Sequence, residues 1–110
     1  MPLSERVRIE IFIPDLPDPA YGSILEQLGN ELTYAFGGST VIQTNGKYRA
    51  SDGLILPDKI QIHFSDTAFS WTRDRLLMEL YAERIRNVVW RALSEEESVL
   101  VVAYPVYHAN

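Results

Sequence analysis

The sequence has no cysteine in its 110 residues, which removes disulfides, thiolate zinc sites and cysteine nucleophiles together. Histidine is scarce as well, with only His63 and His108, and neither falls at a zinc-ligand spacing. Positive charge is the minority sign: ten Lys and Arg against fifteen Asp and Glu leave a net charge of −5. Long-range steering therefore repels nucleic acid and anionic membrane surfaces, and both are disfavoured as partners. No apolar run approaches the ~20 residues that span a bilayer. Met1 to Arg6 lacks the basic stretch and apolar run of a secretory signal, which leaves a cytoplasmic protein as the expectation. Repeats, linkers and low-complexity tracts are missing too, so residues 1–110 are expected to form one domain. A domain of this size buries a modest core, and oligomerisation would help it.

What is present is a clear alternation of periods. Val7, Ile9, Ile11 and Ile13 alternate with Arg8, Glu10 and Phe12, which predicts a strand with one buried face, ended by Pro14 and Pro17. Asp18-Pro19 reads as a helix start, an acceptor at the cap followed by a proline in the first turn. Leu25, Leu28, Leu32 and Phe36 follow at helical spacing, and Gly37-Gly38 supplies positive-φ residues to stop the helix. Ser39 to Phe64 reads as a hairpin with two competing turns. Asn45-Gly46 would make a two-residue reversal. The preferred reading turns at Ser51-Asp52-Gly53, makes Asn45-Gly46 a bulge and gives arms of similar length. A long helix is predicted from Trp71 or Thr72 to about Leu93, with Leu77, Leu80, Tyr81, Val88 and Ala92 in its apolar sector and Ile85 on the margin. Ser94 to Glu97 reads as a solvated connection, and Val99 to Val106 as a last strand that leaves His108 in a frayed tail.

Strand, helix, strand, strand, helix, strand is the order of the ferredoxin-like βαββαβ fold: α+β, with a four-stranded antiparallel sheet and both helices on one face. Right-handed crossovers put the first and third strands at the centre. The other face of the sheet is left open, and function is expected there or at the hairpin. Arg8, Glu10 and Phe12 are expected to face outwards, with Gln61, His63 and Ser65 beside them. The last strand adds either Leu100, Val102 and Tyr104 or Val99, Val101 and Ala103. An apolar strand on an open face calls for a second subunit, so a homodimer is the expected assembly.

The candidate site residues follow from these faces. His63 titrates near neutrality, and with Glu10 on an adjacent strand it could act as a base and its orienting partner; alternatively it is a strand histidine bonded to a neighbour. Lys47, Tyr48 and Arg49 on the hairpin could clamp an anionic ligand, or pair across the strands with Asp52 and Asp58. Arg8 and Phe12 are ligand-binding candidates on the open face. Trp90, opposite Tyr81 and Val88 on the long helix, is a candidate partner contact beside Leu100, Val102 and Tyr104, or else packs over its own neighbours. Asp15, Asp18, Asp52, Asp58 and Asp66 match no calcium loop, and Gly37-Gly38 lacks the Lys-Ser/Thr of a phosphate loop, so no metal and no cofactor are expected.

Phe36, Gly37, Gly38, Thr40, Gly46, Tyr48, Gly53 and Asp58 form a pattern that resembles that of a family of small bacterial proteins with no known activity. The resemblance covers about a quarter of the chain, and physically the motif encodes a helix stop and a hairpin. In size and element order the chain is also similar to the tautomerase superfamily, which implies Pro2 as a general base, with Arg8 or Lys47 binding a carboxylate. Polar Ser4-Glu5-Arg6 departs from that family, where the strand begins at the proline. A dimeric α+β barrel of the cofactor-free monooxygenase or ligand-sensing kind is a third resemblance, which would place His63 in an internal cavity. The reading carried forward is a non-enzymatic homodimeric domain that binds a protein or a small molecule.

Overall fold

The computed structural model describes residues 3–15, 19–93 and 99–109; for residues 20 and 21 it describes the backbone alone. The elements are β1 (Leu3–Pro14), α1 (Pro19–Phe36), β2 (Thr40–Arg49), β3 (Ile55–Thr67), α2 (Trp71–Ala92) and β4 (Leu100–Ala109). They form one antiparallel sheet in the order β2-β3-β1-β4, which is the ferredoxin-like arrangement with β1 and β3 at the centre. Pro2, Asp18 and the connection Ser94 to Glu97 lie outside the described residues.

The core is small and rests on β1. Val7, Ile9, Ile11 and Ile13 are fully buried against Leu25 and Leu32 of α1, Met78 and Val89 of α2, and Leu93 and Val99. Helix α1 stops where Gly37 takes a φ of 88° and its N–H donates to the Thr33 carbonyl at 2.8 Å; Gly38 does not share the positive φ. Helix α2 starts at a Ser70 cap, whose hydroxyl accepts from Arg73 N–H while its own N–H donates to Asp74 Oδ2 at 2.9 Å.

Three expectations need correction. The stripe of α2 that reaches the core is Met78, Ile85 and Val89, whereas Leu77, Leu80, Tyr81 and Val88 are exposed. The two stripes are adjacent on the helix, and hydrophobicity alone does not choose between them. Strand β4 continues through Pro105, because an edge strand tolerates the missing donor; His108 is paired with Ser4 and is not in a frayed tail. The register of β2 with β3 also runs unbroken from Thr40↔Phe64 to Arg49↔Ile55, so Asn45-Gly46 is ordinary ladder and not a bulge.

The reversal falls at residues 50–54, where Gly53, with φ of 89°, donates to Ala50 O and Asp52 Oδ1 accepts from Leu54 N–H. Gly53→Ala forces a β-carbon into the left-handed region and is expected to lower stability by roughly 1 kcal/mol. At Gly46 an added methyl meets only the mobile end of Ile60, Cδ1 at 3.1 Å, so Gly46→Ala is expected to cost less. Urea melts of the two variants check this ranking.

Candidate functional site: the open face of the sheet

In an antiparallel ladder directly paired residues share a face, so the register assigns every side chain of the sheet. Ile9 pairs with Ser65, Ile11 with His63 and Ile13 with Gln61. Gln61, His63 and Ser65 therefore point towards the helices, opposite to the sequence expectation, and His63 and Ser65 are each 2% exposed. The inward polar groups have specific partners. Ser65 Oγ donates to the Gly38 carbonyl at 2.7 Å, tying down the turn after α1. Thr67 Oγ1 accepts from Phe69 N–H at 3.2 Å, which sets the approach to α2. His63 Nε2 lies 3.0 Å from Gln61 Oε1, while its Nδ1 has no hydrogen-bond partner. Burial pushes the His63 pKa down. Glu10 is on the other face, so the pairing of His63 with Glu10 does not form.

The same register turns the apolar residues of β3 outwards. Ile60, Ile62 and Phe64 join Phe12 of β1, Ile42 of β2, and Leu100 and Val102 of β4 on the open face. Towards the other end of this face lies a charged cluster. Arg8 Nε and Nη2 donate to Asp66 Oδ1 and Oδ2 at 2.6 and 3.0 Å, a bidentate pair, and the guanidinium stands 4.5 Å over the Phe64 ring. His108 Nε2 is 2.7 Å from Asp66 Oδ2. Tyr104 donates its hydroxyl to Glu10 Oε2. The hydrogen bond from Arg8, with that from His108, holds the Asp66 carboxyl below its usual range against the opposing effect of burial, and Asp66 in turn pushes the Arg8 pKa up. The bond to Glu10, helped by desolvation, raises the Tyr104 hydroxyl. Each carboxylate of the cluster is thus met within the chain, Asp66 by the Arg8 charge and Glu10 by the Tyr104 hydroxyl.

The sequence candidates separate accordingly. Arg8, Glu10, Phe12, Leu100, Val102 and Tyr104 come together on the open face. Lys47, Tyr48 and Arg49 lie apart on the hairpin, opposite Pro57, Leu56 and Ile55 and not opposite the acidic residues. Trp90 is half-buried against the core with Arg86 over its ring at 5.7 Å, which is the second of its two sequence readings, packing over its own neighbours. Sequence reasoning missed Ile60, Ile62, Phe64, Asp66 and His108. The signal of the first four was the strict alternation of β3, which marks two faces without saying which one meets the helices, whereas His108 lies on β4.

These features define a ferredoxin-like α+β domain whose exposed sheet face is apolar at one end and internally paired at the other. No family model matches the sequence, and no curated protein matches it. Among solved structures the chain is similar to CPII from Thiomonas intermedia K12, bound to ADP, AMP and acetate, at 14% identity and a TM-score of 0.50 over all of this chain and 94% of that one. It is also similar to CutA from Synechococcus elongatus PCC7942, at 13% identity and a TM-score of 0.52 over 94% of this chain and 83% of that one. Likeness at such identities concerns the fold.

Proposed function

We propose that this protein is a small non-enzymatic binding domain that works as a homodimer, with the open face of the sheet as its contact surface. The observation that carries the reading is the orientation of β3: Ile60, Ile62 and Phe64 lie on the solvent side while Gln61, His63, Ser65 and Thr67 lie inside. An amphipathic strand that turns its apolar side away from its own helices has that side available for another surface. Shape agrees. The chain exposes 7636 Å2, where a compact monomer of its mass exposes about 6,200 Å2. Its radius of gyration is 15.4 Å, against about 13 Å for a compact domain of this length. The excess surpasses the ~800 Å2 that each partner contributes to a standard interface. The charged cluster is compatible with cover, since Arg8–Asp66 and Tyr104–Glu10 enter an interface already hydrogen-bonded.

A catalytic His63 does not fit: at 2% exposure the ring meets no substrate. Multi-angle light scattering and sedimentation equilibrium test the proposal. The wild type is expected to run as a dimer at micromolar concentration, and Ile62→Glu, which puts a charge at the centre of the face, is expected to weaken the dimer at least about thirtyfold, the scale of a central hot spot. A monomeric wild type, or a dimer indifferent to Ile62→Glu, would overturn the reading.

A further inference from the structure

Two further apolar features have no partner among the described residues. The first is the far end of the hairpin. Pairing with β1 ends at Pro14↔Ile60, beyond which residues 45–49 and 55–59 pair only with each other as a two-stranded ribbon. The Asp15 N–H bond to the Lys59 carbonyl, 2.8 Å, is its last backbone link to β1. An isolated two-stranded ribbon is marginally stable in water, yet this one exposes Leu54 at 60% and Ile55 at 69%. The second feature is a groove of ≈ 430 Å3 between the helices, lined by Leu28, Leu32 and Phe36 of α1 and by Tyr81, Ile85 and Val88 of α2. From Ile24 to Phe36 it runs roughly 18 Å along α1.

We infer that the hairpin tip of one copy seats in the helix groove of another copy, with Leu54 and Ile55 as the anchors. Shape and charge both match. The groove is concave and apolar, in the size range of about 300–1,000 Å3 that takes compact apolar groups; the tip is convex and apolar. The α1 wall of the groove carries Glu31 and no Lys or Arg, while the ribbon carries Lys47, Arg49 and Lys59 with Asp58. Among the described residues no ion pair involves any of these five. On the opposite wall Arg84 faces the groove, also without an ion pair, and the turn brings Asp52. The ribbon leaves the sheet in line with its strands, in a molecule 50 Å long, so the groove it reaches is not its own. Tip-to-groove contact is heterologous: each copy offers one tip and one groove, and the contacts propagate until a ring closes. It uses a surface separate from the open sheet face.

The test uses sedimentation velocity across a dilution series, with every chain also carrying Ile62→Glu so that the sheet face is disabled. The parent is expected to associate at the concentrated end of the series, above the micromolar range in which the sheet-face dimer forms, because the tip and groove make the smaller contact. A tip variant, Leu54→Asp with Ile55→Asp, and a groove variant, Val88→Glu, are each expected to run as monomers; all three positions are exposed, so folding is retained and circular dichroism verifies it. Mixing the two variants is expected to restore a species of twice the protomer mass, because one intact tip then meets one intact groove. Association that persists in either variant, or a mixture that stays monomeric, would overturn the inference. The two proposals fail separately. Tip and groove variants that dimerise like the wild type when residue 62 is left as isoleucine implicate the sheet face alone; Ile62→Glu chains that associate like the wild type implicate the tip and groove alone.

Discussion

Ile11→Ala is expected to lower the unfolding free energy by about 2–5 kcal/mol, read as a fall in the urea midpoint with little change in slope. Ile11 is fully buried on the central strand, between His63 of β3 and Val101 of β4, and its side chain meets the underside of the helical layer. Removing three carbons there forfeits their transfer free energy and leaves a cavity that the ladder on both sides keeps from collapsing. Among the described residues ten buried ones form the core, which leaves few neighbours able to fill the space. Since domains of this kind have only about 5–15 kcal/mol in total, one such truncation removes a large part of the stability. Leu77→Ala is the control that discriminates. The sequence pattern places Leu77 in the buried sector, but it is 41% exposed, so its truncation is expected to change stability by less than about 0.5 kcal/mol. Comparable losses at both positions would mean that α2 is rotated from the orientation described.

The contrast between these two leucine and isoleucine positions shows which parts of the fold the sequence carries openly. The period-two pattern of β1 is bounded by prolines and buries one face completely, so Val7 to Ile13 were legible as core and the element order followed. The topology was legible too, because right-handed crossovers leave one arrangement of four strands in this order. Orientation was not. Strand β3 alternates as cleanly as β1, and alternation is blind to the hand of the face: only the register, Ile9↔Ser65 and Ile11↔His63, decides that its polar side lies under the helices. The reason is local and lies in the loops. Ser65 and Thr67 are needed inside, where they hold the Gly38 carbonyl and the Phe69 amide, and a one-residue slip would break both bonds. The cluster of Arg8, Asp66 and His108 was illegible for the same reason, being assembled from three strands whose relative register no single segment encodes.

Acid is expected to destabilise this protein in two separate windows, and His63→Leu is expected to abolish the first. Burial holds the folded-state pKa of His63 below its value in the unfolded chain, about 6.5. Below that pH the unfolded chain binds a proton that the folded one refuses, so stability falls as pH falls, by up to about 1.4 kcal/mol per unit, until the folded pKa is reached. The second window belongs to Asp66, whose carboxyl is depressed first by its bond to Arg8. The stability it contributes is complete above the ordinary carboxylate pKa, near 4, and is lost as pH falls below it towards the folded value. His63→Leu also removes a buried nitrogen that has no partner, a group whose burial costs about 1–3 kcal/mol, while Gln61 remains half-exposed and free to bind water. The variant is therefore expected to be more stable than the wild type at pH 7, and flat between pH 7 and 5, where the wild type declines. Urea titrations at closely spaced pH values check both statements. An acid limb that persists between pH 7 and 5 in His63→Leu would assign that limb to another group, and a variant less stable at pH 7 would mean that the histidine ring fills its site better than its unpartnered nitrogen harms it.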